Sequence, residues 1–184
     1  MLTLNFDPFP ELETPRLRLR PVRMEDKHEV FALRSDREIM QYIARPLMQN
    51  LEDAEKHIEM IHEGIGKKEF VNWAITLKGQ DKLIGIIGFY RMTLEHYRTE
   101  VGYMLLKEFH KKGITHEALG AVLKYGFNTI GFHQIEAVID KDNIASESLL
   151  VKNKFVKEAH FKENYFFEGK FLDSVHYALL NPKG

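Results

Sequence analysis

Two stretches of the sequence combine residue types that could hold an anion or take part in a chemical step. The first runs Glu100-Val101-Gly102-Tyr103-Met104-Leu105-Leu106 and continues as His110-Lys111-Lys112-Gly113-Ile114-Thr115-His116-Glu117-Ala118. A loop of lysines and glycine that opens directly into a helix presents unpaired backbone N–H groups and the positive end of the helix dipole, which suit a phosphate or pyrophosphate. Gly113 would let the backbone approach such a group. The same residues also read as a plain turn with solvated lysines, and the local sequence leaves both readings open. The second stretch, Asp140-Lys141-Asp142-Asn143-Ile144-Ala145-Ser146, starts a short helix in which Asn143 is a good N-cap and Ser146 a tolerable first-turn residue.

Other candidate chemistry is weaker. The chain has no cysteine, which excludes a thiolate nucleophile, a disulfide framework and every cysteine-based metal site. His57 and His62 are wrongly spaced for a helical zinc pair, and no metal site is expected. Gly64-Ile65-Gly66-Lys67-Lys68 lacks the first glycine and the terminal Ser or Thr of a phosphate-binding loop. Phe161, Tyr165, Phe166, Phe167, Phe171 and Tyr177 read as strand core, and so does Trp73.

The elements that must position these groups follow from periodicity. Residues 1–12 read as an extended N-terminal arm. Arg16-Leu17-Arg18-Leu19-Arg20 alternates with period two, a half-buried strand whose three arginines share the exposed face. A first short helix follows; Asp36 can cap a second carrying Ile39, Met40 and Ile43, and Asn50 a third that ends at Gly64 and Gly66. Val71 to Leu77 and Leu83 to Arg91 form a hairpin, and Thr99 to Leu106 a fourth strand antiparallel to the third. Leu119, Val122, Leu123, Phe127 and Ile130 give the longest helix one core stripe. Ile135 to Ile139 is a fifth strand, Asn143 to Asn153 a short helix, and two last strands flank a turn at Glu168-Gly169-Lys170. This order predicts one α/β domain over residues 1–184, with a mixed, mostly antiparallel central sheet and helices on both faces.

That order, and five phrases within it, resemble the GNAT (Gcn5-related N-acetyltransferase) superfamily, and within it the RimJ/RimL type of ribosomal-protein N-terminal acetyltransferase. The phrases are Leu83-Ile84-Gly85, Glu100-Val101-Gly102-Tyr103, Gly113 through Leu119, Asp140 through Ser146, and Asn153-Lys154-Phe155. The resemblance extends from Leu12 to Asp173 and implies that acetyl-coenzyme A enters a gap where the fourth and fifth strands splay apart. Backbone groups of Tyr103, Met104 and Leu105 would pair with the pantetheine arm, and the loop of His110, Lys111, Lys112, Gly113, Ile114, Thr115 and His116 would hold the pyrophosphate. The family usually carries Arg or Gln at the position of His110 and Gly or Ala at that of Thr115.

The resemblance also implies roles. Glu100 matches the position of a base that works through water, a backbone N–H near Leu105 would meet the oxyanion, Asn143 would contact the coenzyme, and Ser146 would protonate the departing thiolate. Tyr165 and Glu163 lie where the family presents residues to the acceptor amine. The implied activity is acetyl transfer to a primary amine, a peptide α-amine in the resembling branch, with polyamines and amino sugars as alternatives. A module that binds acyl-coenzyme A without turnover is the competing class.

Composition bounds the partners. Among 184 residues, 26 basic and 27 acidic side chains leave a net charge of −1, which gives no global field for nucleic acid. No segment suits a bilayer span or a leader peptide, so the expected location is the cytoplasm and the expected state a monomer or homodimer.

Overall fold

Residues Val71 to Thr76 alternate apolar and polar side chains, yet all six are buried. Both faces of this strand are therefore covered. The computed structural model describes residues 2 and 4–183. Its strands are β1 (Leu12–Glu13), β2 (Leu17–Pro21), β3 (Val71–Leu77), β4 (Gly85–Thr93), β5 (Arg98–Leu105), β6 (Gln134–Ile139), β7 (Val156–Phe167) and β8 (Lys170–Leu180). Its helices are α1 (Lys27–Ser35), α2 (Arg37–Met40), α3 (Leu51–Gly66), α4 (Ile114–Tyr125) and α5 (Ile144–Lys152). The strands form one sheet in the order β1-β2-β3-β4-β5-β6-β8-β7, and of these neighbouring pairs β5 and β6 run parallel while the rest are antiparallel.

Two apolar layers result. On one face Ile114, Ala118, Leu119 and Val122 of α4 and Leu150 of α5 pack on Trp73, Ile75, Ile87, Phe89 and Val101. On the other, Val30 and Leu33 of α1 and Ala54, Ile58 and Ile61 of α3 pack on Ala74 and Ile86. The α/β class and the helices on both faces agree with the sequence reading.

Local chemistry sets the boundaries. Asp36 accepts from the N–H groups of Glu38 and Ile39, and Asn50 from that of Asp53, as their capping positions require. Glu168 (φ 46°) and Gly169 (φ 79°) form the two-residue turn between Phe167 and Lys170, both in the left-handed conformation of a type I′ hairpin.

Several expectations are corrected. The helix capped by Asp36 ends at Met40, short of Ile43, and Gly64 lies inside α3, where a Cβ would meet the ring of Phe70 at 2.2 Å. The arm is fitted to the core: Leu4 and Phe6 are buried, Trp73 Nε1 donates to the Pro10 carbonyl at 2.6 Å, and Leu12 and Glu13 pair with β2. Residues 1 and 3 of that arm lie outside the described residues. Arg20 does not share an exposed face with Arg16 and Arg18; it is 1% exposed and makes a bidentate pair with Asp26 and a further bond to Asp81. A buried guanidinium is tolerated because its donors are matched by two carboxylates and by the carbonyls of Pro21 and Asp81. Finally, Phe161, Phe166 and Phe171 are 49%, 61% and 64% exposed, since β7 is the outermost strand and no helix covers it; of that aromatic set Tyr177 alone is fully buried.

Candidate active site

Strands β5 and β6 pair over three residues, Arg98 with Gln134, Thr99 with Ile135 and Glu100 with Glu136, and then part. The rest of β5 stays on β4, with Gly85 opposite Leu105 and Ile87 opposite Tyr103. The Leu106 amide donates to the Ile84 carbonyl, so alternation in an antiparallel ladder turns the backbone groups of Gly102 and Met104 toward β4 and those of Val101, Tyr103 and Leu105 toward the gap. Of the three positions expected to receive an extended arm, Tyr103 and Leu105 present main-chain groups to the opening. Met104 does not, because its amide and carbonyl face Ile86. The Leu105 carbonyl already accepts from His110 Nε2 at 2.8 Å, which leaves the Leu105 N–H as its group directed into the gap.

Beyond β5 the chain makes a tight loop with Lys111 (φ 59°) and Gly113 (φ 73°) left-handed, then enters α4. No side chain caps this helix start, and the N–H groups of Ile114, Thr115 and His116 have no intrahelical partner by position. A Cβ at Gly113 would meet only Arg16 Nη2, at 3.5 Å, so glycine is required there by conformation more than by space. Glu117 ties the loop to the start of β2: it accepts from Thr14 Oγ1 at 2.5 Å, from the Arg16 amide at 2.9 Å and from Arg16 Nε at 2.6 Å, while Arg16 Nη1 donates to the Lys112 carbonyl. Burial pushes the Glu117 carboxyl up, but these donors outweigh it and hold it below the usual range. Lys111 and Lys112 are exposed, with the Lys112 ammonium 5.4 Å from the centre of the Phe109 ring. The His110 side chain, by contrast, is turned back onto β5.

Across the gap Asn143 caps α5, its Oδ1 accepting from the Ser146 N–H at 3.1 Å. Ser146 is buried, and its Oγ lies 2.6 Å from the Tyr103 hydroxyl. This hydroxyl pair spans from the splayed strand to the helix. Burial pushes the Tyr103 phenol up to about 12, with the bond to Ser146 acting against it, so Tyr103 is a neutral O–H at neutral pH.

Glu100 occupies the other side of the sheet. Val101, Tyr103 and Leu105 face α4 and α5, whereas Met104, and by alternation Gly102 and Glu100, face α1 and α3. Arg91, left-handed at a β4 irregularity, contacts Glu100 Oε2 at 2.6 Å. Beside Glu100, the ring of Tyr90 lies over Gly102, where a Cβ would approach Tyr90 Cε2 to 3.1 Å. Tyr90 accepts from Asn72 Nδ2 at 2.7 Å, and burial pushes its phenol up to about 12. Tyr165 stands on β7 with its hydroxyl 3.4 Å from Arg45 Nη1, while Glu163 uses its backbone N–H to donate to Asp173.

The structure thus brings Tyr103, Leu105 and Ser146 to one side of the opening and Glu100 to the other, with residues 110–116 below. Sequence reasoning treated Tyr103 as a main-chain position and missed its hydroxyl; the signal was its place in the apolar series Val101, Tyr103, Leu105. Asn72, Tyr90 and Arg34 were missed because they lie on three separate elements. Among the described residues no group of His, Asp or Glu is arranged to hold a metal, and no helix is long and apolar enough to cross a membrane.

The signature of the acetyltransferase (GNAT) domain matches residues 16–156. An uncharacterized N-acetyltransferase of Bacillus subtilis, YoaA, is 33% identical over 175 residues, 95% of this chain and 99% of its own. The crystal structure of a GNAT-family acetyltransferase from Bacillus anthracis superposes with a TM-score of 0.83 at 28% identity, covering 94% of this chain and 99% of that one. At 19% identity the fold alone is shared with RimL, a ribosomal L7/L12 α-N-protein acetyltransferase solved in complex with coenzyme A, with a TM-score of 0.84 over 93% of this chain and 98% of that one. With the splayed strands and the uncapped glycine loop in place, the match over most of its length shows that the chain belongs to the GNAT acetyltransferase family.

Proposed function

We propose that the protein moves an acetyl group from acetyl-coenzyme A directly to a primary amine, with the α-amine of a peptide as the preferred acceptor class. The observation that carries this reading is the placement of Glu100 and the Tyr103–Ser146 pair on opposite sides of one opening. An amine and a thioester can then meet in the gap from the two faces, with no need for an acyl-enzyme.

The coenzyme fits the residues present. The gap-facing groups of Tyr103 can pair with an amide of the pantetheine arm, and the unpaired N–H groups of Ile114, Thr115 and His116 suit its pyrophosphate. Glu100 accepts the proton of the incoming ammonium through water, and the neutral nitrogen attacks the thioester carbonyl carbon. The resulting oxyanion is met by the Leu105 N–H. As the carbon–sulfur bond breaks, the thiolate takes a proton from the Ser146–Tyr103 pair, and the second proton released by the former amine nitrogen returns through water to restore that pair. A peptide α-amine suits a carboxylate base because its ordinary pKa, about 7.7–8.0, leaves a usable neutral fraction at pH 7, whereas a lysine amine near 10.4 does not.

The test is thiol release with short peptides of free or blocked N-terminus beside spermidine and an amino sugar. Turnover with free α-amines is expected. Turnover with the small amines and none with any free-N-terminus peptide would reject the peptide reading while leaving the transferase assignment intact.

A further inference from the structure

Charges on the α1–α3 side of the opening are unevenly paired. Two acids on this face are matched: Glu100 by Arg91 at 2.6 Å and Glu136 by Arg98 at 3.1 Å. Two further arginines are not. Among the described residues Arg34 of α1 makes no ion pair, and Arg45, in the segment between α2 and α3, meets only the hydroxyl of Tyr165. The segments that carry them are joined where the Met48 amide donates to the Arg34 carbonyl.

These arginines belong to the acceptor side. The charge of Arg34 acts on Tyr90, which lies over Gly102 and opposite Glu100, and on His57 of α3. Burial first, with the like charge of Arg45 adding to it and Tyr90 acting against it, holds Arg34 below its usual value. On β3, beside Tyr90, Asn72 is 3% exposed, and its Oδ1 has no hydrogen-bond partner among the described residues. A half-buried arginine without a carboxylate is costly unless a ligand supplies one.

We infer that the acceptor is an amine bearing a nearby carboxylate, and that Arg34 and Arg45 receive that carboxylate. This deepens the transferase reading above and rests on it. The shared chemistry, an amine and a carboxylate within one short molecule, occurs both in peptides with an acidic residue next to the N-terminus and in free amino acids. Polycationic amines are disfavoured, because two uncompensated arginines repel them.

The experiment uses the full chain, acetyl-coenzyme A and a set of peptides identical except for Glu, Gln or Lys at their second and third residues, with spermidine and free glutamate alongside. KM and kcat are measured at low and high salt for the unaltered protein and for Arg34→Gln and Arg45→Gln. The Glu peptide is expected to show a KM about tenfold below that of the Gln peptide, the ratio that one charge-assisted contact supports, with similar kcat. The preference should shrink at high salt and approach parity in the variants. Glutamate turning over better than the Glu peptide would assign the carboxylate to a free amino acid, and the reverse to a peptide. Equal KM across the peptides, a preference for Lys or spermidine, or an undiminished Glu preference in Arg45→Gln, whose side chain is exposed and whose fold is not at risk, would overturn the inference. If no amine turns over, the transferase reading fails, and calorimetric binding of the same peptides to the protein saturated with coenzyme A still decides the inference: Glu over Gln supports it and parity rejects it.

Discussion

The two sides of the opening are built by different means. The proposed coenzyme side consists of main-chain groups held in position by the fold: the Tyr103 and Leu105 backbone where β5 leaves β6, and the first N–H groups of α4 behind a left-handed glycine. The proposed acceptor side consists of side chains from four elements, Arg34 on α1, His57 on α3, Asn72 on β3 and Tyr90 on β4, with Arg45 in a connecting loop. A backbone cradle tolerates side-chain replacement and recognises what all coenzyme A molecules share. A cluster of side chains can be rebuilt one residue at a time, so substrate choice resides there.

The sharpest way to break this comparison is at the proposed base, Glu100, across the opening from the Tyr103–Ser146 pair. Glu100→Gln keeps the shape and removes the base, so kcat should fall by about 10²–10⁴ while coenzyme affinity, measured by calorimetry, stays unchanged. A loss of coenzyme affinity with normal turnover at saturation would move Glu100 to the structural side. Next, Gly113→Val should weaken coenzyme affinity by about tenfold, because a β-branched residue resists φ 73° and the loop must shift its amides. The KM for the amine should not follow. If both constants moved together, the two sides would be one cooperative unit.

Legibility in the sequence divides along the same line. The elements of the proposed coenzyme side were readable because they are contiguous: a strand, a glycine loop and a helix start within residues 100–117, and a cap phrase at Asn143 to Ser146. The acceptor side was not, since Asn72 and Tyr90 look like the polar half of any half-buried strand until α1 and α3 are laid over them. Arg20 shows the same failure. Its alternation with Leu17 and Leu19 predicted exposure, and only Asp26 and Asp81, 6 and 61 residues away, make its burial affordable. The β7 aromatics failed in the opposite direction: β-forming residues imply a strand but not a layer to cover it.

A smaller effect separates the two hydroxyls on the coenzyme side. Ser146→Ala should lower kcat several-fold, since the thiolate loses one donor of the pair while Tyr103 remains as a neutral phenol. Tyr103→Phe alone should cost less than the double variant. Full activity in the double variant would mean that solvent protonates the thiolate and that the pair serves packing.

A last effect is on stability, and it tests whether the proposed acceptor side is assembled from buried side chains as described. His57 sits among α1 and α3 residues, and its imidazolium is held down to about 4, first by burial and then by the charge of Arg34. The folded protein therefore prefers neutral His57. Above pH 6.5, the ordinary value, both folded and unfolded chains carry it neutral and it contributes no pH dependence. Between pH 6.5 and about 4 the unfolded chain takes up a proton that the folded chain refuses, so stability declines across that window and levels off below it. Denaturant unfolding of the unaltered protein and of His57→Gln should give curves that run parallel above pH 7 and converge as the pH falls toward 4, because glutamine has no proton to refuse. An anionic acceptor analogue bound at Arg34 should raise the imidazole value and shallow the decline. Parallel curves at every pH would show that His57 is solvated, and with it that the floor of the acceptor side is open water.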